Sequence, residues 1–567
     1  MLSSLRLRLL AGGVLPMLLS VAVYSSTLRN GFIWDDPMIV ERQLPAFHDW
    51  RSLFLPPAEL EFAGTYYRPL IFATYWFDNW LGQGAPWAFH LTPVAAHVLV
   101  TLLVFLLGIG LRMAALPAGL AAALFAVHPI HTESVAWMAG RSDVLAALFL
   151  LLAVLVLWRG GRAGGVALAA GAVLLAMLCK ETAAFGALVL PVAAALSTKA
   201  KGASRRGWIA VSLAVPVYIC LRIAAGATAP RQPGQPVDPA ALLALIGFYG
   251  GKLIAPFDLN VLVMEVHPLA LYLGLSAALL GAGVRYWRRA RGDPAGRFLL
   301  AWCGITLVPA ALPLLWPVAA APFAERYAYL PSVGFCLLAI HVGAGWAAAN
   351  PRRLRVGGVV ALVLLTLGAV ATVSRNAVWR DDLSFWKAAA IRNPSRWLPR
   401  FELAKAYAAA RQPTAAEATY RAALVQADAV GLPLILNNLG ALARQAGHES
   451  EAEGYLRQAA AARADYPDPL YNLGVLYWNR GKAALERGDS AAGQAAFAAA
   501  RQQLEAALRL SPHLTAAHYA LGSLAVMMGD VGLARDHLEM TIQLAPHSRE
   551  AVFARQVAAN LPAVARQ

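Results

Sequence analysis

The chain has 567 residues, too many for a single hydrophobic core, so two or more domains are expected. It is 59% hydrophobic and only 14% charged, whereas soluble globular chains carry about 25% charged residues. This composition excludes a wholly soluble protein and predicts a polytopic membrane protein.

The net charge of +16 is distributed in a way that argues against nucleic acid as a partner. The basic residues fall in short clusters between apolar stretches, as in cytoplasmic loops held beside anionic lipid. The four cysteines lie in or beside apolar stretches without CxxC spacing, so neither a disulfide framework nor a zinc site is predicted.

Apolar segments occupy most of the first two thirds of the chain. A membrane-spanning helix needs about 20 apolar residues. We predict eleven spans, the first a signal anchor rather than a cleaved signal: 6–25, 93–111, 115–127, 143–157, 164–178, 183–197, 208–224, 268–284, 298–315, 331–348 and 355–374. The apolar segment 240–254 is predicted to be an interfacial or re-entrant helix on the outer surface.

A cytoplasmic N-terminus places all five basic loops on the cytoplasmic face, as the positive-inside rule requires. These loops contain Arg112; Arg159 and Arg162; Lys199–Arg206; Arg285–Arg297; and Arg352–Arg355. The polar motifs described next, and the C-terminal domain, then all lie on the outer face. This coincidence predicts a functional site there.

The first outer loop, 26–92, contains an acidic pair, Asp35 and Asp36, close behind the first span. The two can be solvated loop residues, or, if partly buried, a general base with a raised pKa. Arg68, later in this loop, can bind a phosphate. Most of the loop tryptophans are interpreted as an interfacial aromatic belt.

A second motif joins His128, His131 and Glu133, with Arg141 following at the start of a span. The spacing can be interpreted as a divalent metal site, but it lacks a further ligand at fixed spacing. Polar contacts to a substrate, or within the loop, are the other interpretation, and we predict no resident cofactor.

Two further polar motifs interrupt apolar sequence. Lys180 and Glu181 either neutralise each other as an ion pair or contact a lipid phosphate. Glu325, Arg326 and Tyr329 open the tenth span, where they form a capping turn or bind a phosphate or sugar.

From about residue 380 a repeat begins. Leu403, Leu439, Leu473 and Leu521, each followed by Ala or Gly, are spaced 36, 34 and 48 residues apart. A period of about 34 residues with L-G-x-x-Y is typical of tetratricopeptide repeats, which usually bind a peptide or partner. We predict two domains, 1–379 and 380–567, the second with about four repeats, and assign the excess in the last interval to an elongated helix pair over 481–500.

In order, these motifs resemble the transmembrane and tetratricopeptide-repeat-containing O-mannosyltransferases. The resemblance covers nearly the whole chain and rests on this succession: Asp35-Asp36, Tyr67-Arg68-Pro69-Leu70, the segment 125–133 (FAVHPIHTE), Gly140-Arg141-Ser142-Asp143, Cys179-Lys180-Glu181, the segment 325–332 (ERYAYLPS) and Trp379-Arg380-Asp381-Asp382 with Trp386.

The resemblance implies an all-α GT-C glycosyltransferase that takes a sugar from a polyprenyl phosphate within the membrane. Asp35 or Asp36 would deprotonate an acceptor hydroxyl, which attacks the anomeric carbon with inversion. Arg68, Arg141, Lys180 and Arg326 are candidates to stabilise the leaving phosphate.

The short repeat array and the Ala- and Arg-rich composition differ from the animal members and look bacterial. They imply an undecaprenyl-type donor, the inner membrane, and a periplasmic repeat domain. Two alternatives stay open: a periplasmic glycan ligase or polymerase, and a non-catalytic membrane scaffold that presents the repeats.

Overall fold

A computed structural model describes residues 2–57, 66–158, 163–196, 203–227, 238–264, 266–315, 321–546 and 548–562. Several residues of the predicted basic loops, namely Arg159, Arg162, Lys199 and Lys201, lie outside these ranges, as does the last residue of the span predicted over 183–197. Throughout the described ranges the secondary structure is helical, apart from an isolated bridge between Val263 and Phe323. The predicted all-α fold class is confirmed.

The chain folds as two compact units, 1–393 and 394–567. The boundary expected from the sequence, between 379 and 380, lies N-terminal to this division. The membrane unit therefore includes the segment 380–393, which the sequence analysis had placed with the repeats.

The membrane unit contains nineteen α-helices among its described residues. They are α1 (Leu2–Tyr24), α2 (Asp36–Met38), α3 (Trp50–Phe54), α4 (Pro69–Gly82), α5 (Pro86–Gly110), α6 (Ala115–Ala126), α7 (Thr132–Ala136), α8 (Arg141–Trp158), α9 (Ala163–Cys179), α10 (Ala183–Gly186), α11 (Val189–Leu196), α12 (Ala203–Ala224), α13 (Pro239–Ile254), α14 (Leu269–Arg289), α15 (Pro294–Leu307), α16 (Leu312–Leu315), α17 (Tyr329–Ala347), α18 (Pro351–Asn376) and α19 (Asp382–Arg392).

Within the described ranges, eight helical segments are long and apolar enough to cross a membrane, and a bent pair, Ala115–Ala126 with Pro129–Ala136, makes a ninth candidate. The predicted spans 164–178 and 183–197 correspond to shorter apolar helices, Gly164–Cys179 and Ala183–Val192. The chain is a multi-pass membrane protein. The third shorter apolar helix, Pro239–Ile254, is the segment predicted to be interfacial or re-entrant.

Helix α5 lies at the centre of the packing and contacts α1, α6 and α8. Its buried face is apolar but carries polar residues at intervals, including His97 and Thr101. Because lipid cannot satisfy such groups, they bond within the bundle: Thr101 Oγ1 donates to the His97 carbonyl at 2.9 Å and lies 3.0 Å from Ser20 Oγ of α1.

The second unit is an array of helix pairs, followed by the helix α28 (Arg549–Ala559). The described pairs are α20 (Trp397–Ala409) with α21 (Pro413–Leu424), α22 (Gly431–Gln445) with α23 (Glu449–Ala462), α24 (Pro467–Glu486) with α25 (Ser490–Leu510), and α26 (Thr515–Met528) with α27 (Val531–Leu544). Helices α24 and α25 are 20 and 21 residues long, which accounts for the 48-residue interval and agrees with the elongated pair predicted there.

The glycines of the repeat let the two helices of a pair approach closely. A Cβ at Gly440 would lie 2.6 Å from Leu456 Cγ, and one at Gly474 would lie 2.6 Å from Leu504 Cγ. Both leucines are buried core residues, so neither can move aside cheaply.

We predict that Gly474→Val lowers the free energy of unfolding of the repeat unit by about 1–3 kcal/mol, because the added methyl groups overpack this contact. Pulse proteolysis of the full chain in increasing urea measures the change. Gly454→Val is the matched control, since a Cβ at this helical glycine meets nothing within 4 Å. Equal destabilisation by both variants would contradict the packing explanation.

Candidate active site

The acidic pair lies in a tight turn that begins α2. The Asp36 side chain is fully buried, and its Oδ2 accepts a hydrogen bond from the Ile33 N–H at 3.1 Å. Asp35, by contrast, is partly exposed, and within the described part of the chain its carboxylate has neither a hydrogen bond nor an ion pair. The two adjacent carboxylates therefore differ: Asp36 closes the turn, and Asp35 faces outward from it.

Both carboxyl groups hold protons more tightly than an ordinary aspartate does. Burial raises the pKa of Asp35 to about 6, against the opposing effect of Arg326. Burial raises the pKa of Asp36 to about 8, and the charge of Asp35 raises it further while the Ile33 N–H opposes the shift. A partly exposed carboxylate with a pKa near 6 suits a general base.

The turn is held in place by Trp34, whose backbone adopts the left-handed conformation with φ 54°. A bulky residue in this conformation costs on the order of 1–3 kcal/mol and needs support from its surroundings. The Trp34 N–H donates to Asp382 Oδ1 at 2.8 Å, and its ring stacks on Trp137 with centroids 5.1 Å apart. Nearby, the Gly31 N–H donates to the Arg380 carbonyl at 2.9 Å.

Arg68 and Glu181 form a bidentate ion pair with distances of 2.9 and 2.7 Å. The Arg68 side chain is 23% exposed, and its guanidinium lies 4.5 Å from the centroid of the Tyr66 ring. Although burial opposes it, Arg68 holds the pKa of Glu181 down at about 2. The pair stays ionised, and the exposed edge of Arg68 remains available to an anion.

Lys180 pairs with Asp143, not with its neighbour Glu181. Its Nζ lies 2.6 Å from both carboxylate oxygens of Asp143 and 5.0 Å from the centroid of the Tyr327 ring. Burial lowers the pKa of Lys180, and the Asp143 charge opposes this. The ion pair of Lys180 with Glu181, one of the two sequence interpretations, is therefore absent from the structure.

Asp143, Lys180 and Tyr327 form the polar end of a groove whose remaining walls are largely apolar. The groove is bounded by α8, α10, the end of α15 and the start of α17. Its other lining residues are Ala146, Ala147, Leu150, Thr182, Ala183, Gly186, Thr306, Pro309 and Leu330. Charged and apolar side chains therefore line the same small groove.

Arg326 links this groove to the acidic turn. Its guanidinium pairs with Glu133, and its backbone N–H donates to Glu133 Oε2 at 3.0 Å. The guanidinium also lies 5.5 Å from the Trp137 ring centroid and 5.1 Å from that of Tyr327. Arg326 thus contacts the groove through Tyr327, and its charge also lowers the pKa of Asp35.

Arg141 acts on the acidic turn through its charge, which lowers the pKa of Asp36. Its side chain and that of Asp78 are both fully buried and paired, and Arg141 Nη1 also donates to Thr74 Oγ1 at 3.0 Å. The pair joins α8 to α4. A buried pair of this kind fixes the packing of helices, and breaking it leaves an uncompensated charge.

Glu325 and Tyr329 are also enclosed. Glu325 is bound by Arg375 at 2.8 Å and Lys252 at 3.3 Å, which ties α18 and α13 to the start of α17. The Tyr329 hydroxyl lies 2.7 Å from His97 Nδ1. Both side chains are fully buried, so we do not assign them a substrate contact.

The two histidines of the motif that can be interpreted as a metal site have separate partners. His128 Nε2 lies 3.0 Å from the Leu253 carbonyl and His131 Nε2 lies 2.7 Å from Ser332 Oγ, while Glu133 binds Arg326. In the part of the chain that the structure describes, no group of three or more His, Cys, Asp or Glu side chains is placed to hold a metal ion. The motif is engaged in joining α7 to α13 and α17.

Sequence reasoning missed Asp143, Tyr66, Tyr327 and Asp382 as site residues. Both Asp143 and Asp382 lie within motifs that the sequence shows, but a carboxylate two residues after Arg141, or next to Asp381, does not by itself reveal its partner. A signal did exist: a charged residue on an apolar span is costly and needs a partner.

Several curated proteins have similar sequences and are named protein O-mannosyl-transferases. Tmtc2 of Drosophila melanogaster is 34% identical over 188 residues, which are 30% of this chain and 20% of that protein. TMTC3 of Mus musculus is 25% identical over 434 residues, covering 65% of this chain and 46% of that protein. F38B6.6 of Caenorhabditis elegans is 24% identical over 409 residues, covering 65% and 56%.

The chain spans less than two thirds of the length of these relatives. No protein-family model matches it. Among solved structures, YrrB, described as a TPR protein with an unusual peptide-binding site, is 17% identical with a TM-score of 0.24, over 34% of this chain and 87% of that one. MamA is 18% identical with a TM-score of 0.23, over 29% and 86%.

The similarity over 65% of the chain to proteins named O-mannosyl-transferases confirms its resemblance to the transmembrane and tetratricopeptide-repeat-containing O-mannosyltransferase family.

Proposed function

We propose that the protein is an inverting membrane glycosyltransferase. It moves a mannose-like hexose from a polyprenyl phosphate to a hydroxyl of Ser or Thr in a secreted protein. The reaction takes place at the outer face of the inner membrane, with the N-terminus in the cytoplasm and the repeat unit in the periplasm. The repeats bind the acceptor or a partner protein.

The observation that carries this proposal is a partly exposed carboxylate with a raised pKa, Asp35, on which the charge of Arg326 acts, near a small, largely apolar groove. Tyr66 feels the charges of Arg68, Glu181, Arg326 and Asp35, so these groups share one electrostatic environment. A base together with phosphate-binding cations is what sugar transfer from a lipid phosphate requires.

The groove supports a lipid-linked donor. The space that the groove encloses in this structure is small, so the helices around it would have to separate for an isoprenoid chain to lie against its apolar walls. The phosphate would then lie at the polar end, near Lys180 and Arg326. Both cations are paired in the free protein, with Asp143 and Glu133 respectively. An entering phosphate competes with these carboxylates for the cations. Before it binds, the carboxylates neutralise the cations, so the protein avoids the free-energy cost of an unpaired charge near the lipid.

In the proposed step, Asp35 takes the proton of the acceptor hydroxyl as the hydroxyl oxygen attacks the anomeric carbon. The bond between the anomeric carbon and the phosphate oxygen breaks, and the phosphate leaves with the electron pair. Arg68, Lys180 and Arg326 stabilise the charge that develops on it. We assign the base to Asp35 because the carboxylate of Asp36 is enclosed and already bound to its own turn.

Product analysis tests the proposal. The full chain in nanodiscs is incubated with polyprenyl-phosphate sugars and a Ser/Thr-containing acceptor polypeptide, with and without EDTA. Mass spectrometry then locates the transferred sugar. Sugar on Ser or Thr in both conditions supports the proposal as stated, whereas loss with EDTA reveals a metal requirement. Sugar found only on a glycan or lipid would indicate a ligase or polymerase.

We expect Asp35→Asn to lower kcat for transfer by about 10²- to 10⁴-fold, the usual contribution of a general base. Asp36→Asn should retain more activity, since an amide oxygen can still accept the Ile33 N–H. Glu41→Gln, an exposed carboxylate in the same loop, is the matched control. Full activity of folded Asp35→Asn, or a larger loss in Asp36→Asn, would overturn the assignment.

The rate should also depend on pH. Because burial raises the pKa of Asp35 to about 6, the basic form is lost as pH falls through 6, and kcat/KM should fall with it. Arg326 opposes this rise, so Arg326→Gln should move the midpoint to higher pH. A profile that is flat between pH 5 and 8 in the wild type would contradict a base with a pKa of about 6.

A further inference from the structure

We infer that Asp382 is a positioning residue for the base, holding the acidic turn in the orientation that directs Asp35 toward the acceptor. This inference rests on the proposed function. It adds a residue from the end of the membrane unit to a site otherwise built from the loops and helices that precede it.

The backbone contact is specific. Trp34 immediately precedes Asp35, and its N–H donates to Asp382 Oδ1 at 2.8 Å. With φ at 54°, Trp34 is in a conformation that a bulky side chain avoids unless it is held there. The backbone conformation of Trp34 sets the direction in which the chain enters Asp35. Asp382, by holding Trp34, therefore also holds the base in position.

Aromatic contacts from the same helix reinforce this hold. The Trp34 ring lies 5.5 Å from that of Phe385 and 6.1 Å from that of Trp386, both in α19. On its other side it stacks on Trp137, which lies beside the Arg326 guanidinium. Through Trp137, the turn that carries the base is placed next to a cation proposed to bind the phosphate.

The neighbouring acid, Asp381, has a different task. Its Oδ1 accepts from the Ser384 N–H at 2.8 Å, capping the start of α19, and it pairs with Arg380. The chain therefore supplies its own control: Asp381→Ala weakens the same helix without removing the acceptor of the Trp34 N–H.

The test compares Asp382→Ala, Asp382→Asn and Asp381→Ala in the full chain in nanodiscs. Hydrogen exchange of peptides covering residues 31–40 reports the turn without any need for activity. Asp382→Ala should speed exchange there by about tenfold or more, because it removes the partner of a part-buried N–H. Asp382→Asn keeps an acceptor oxygen and should behave like the wild type, as should Asp381→Ala.

In the transfer assay, Asp382→Ala should lower kcat by about 10- to 100-fold with KM for the lipid donor within about twofold, as expected for a misplaced catalytic group. Asp382→Asn should have a kcat close to that of the wild type. Unchanged exchange and unchanged kcat in folded Asp382→Ala would overturn the inference, and so would an equal loss in Asp381→Ala. Faster exchange in a protein whose wild type transfers no sugar would refute the proposed function and leave the contact itself established.

Discussion

The membrane unit is organised by the cost of holding charge where water is scarce. Six cations of the described residues near the spans pair with carboxylates, and each pair joins separate helices or loops: Arg141 with Asp78, Lys180 with Asp143, Arg68 with Glu181, Arg326 with Glu133, and Arg375 and Lys252 with Glu325. An unpaired charge in such a place would cost several kcal/mol, so these pairs restrict how the helices can be arranged. The packing of the unit depends on this constraint.

The ion pairs differ in how far their side chains are exposed. We assign the enclosed pairs to helix packing and propose substrate contacts for the cations near Asp35. Arg141 and Asp78 are sealed and Lys180 is buried, whereas Arg68 and Arg326 keep 23% and 18% of their side chains exposed. Asp35 stands apart from all of these, since its carboxylate has no ion pair among the described residues, and the charge of Arg326 lowers its pKa. In our account, the enclosed pairs hold a frame in which one base and several phosphate ligands face a lipid groove.

Much of the fold could be predicted from the sequence, because hydropathy and repeat spacing are local signals. All eleven predicted spans correspond to helices, and the long interval before Leu521 corresponds to the elongated pair α24 and α25. Pairing between distant residues leaves no such signal. Lys180 and Glu181 are adjacent, yet the end of α9 directs them to different partners. Asp382 holds a turn nearly 350 positions away, and only the folded chain shows it.

The central claim is that the membrane unit cleaves a lipid-linked sugar at the site that contains Asp35. The most direct test is to incubate the purified chain in nanodiscs with a panel of radiolabelled polyprenyl-phosphate sugars, without acceptor, and to follow the release of water-soluble label. The account predicts release from one donor class, at a rate above that of protein-free nanodiscs and dependent on a deprotonated Asp35. The absence of release from every donor, with the protein shown to be folded, would contradict it and favour a scaffold, or a ligase that uses larger lipid-linked glycans.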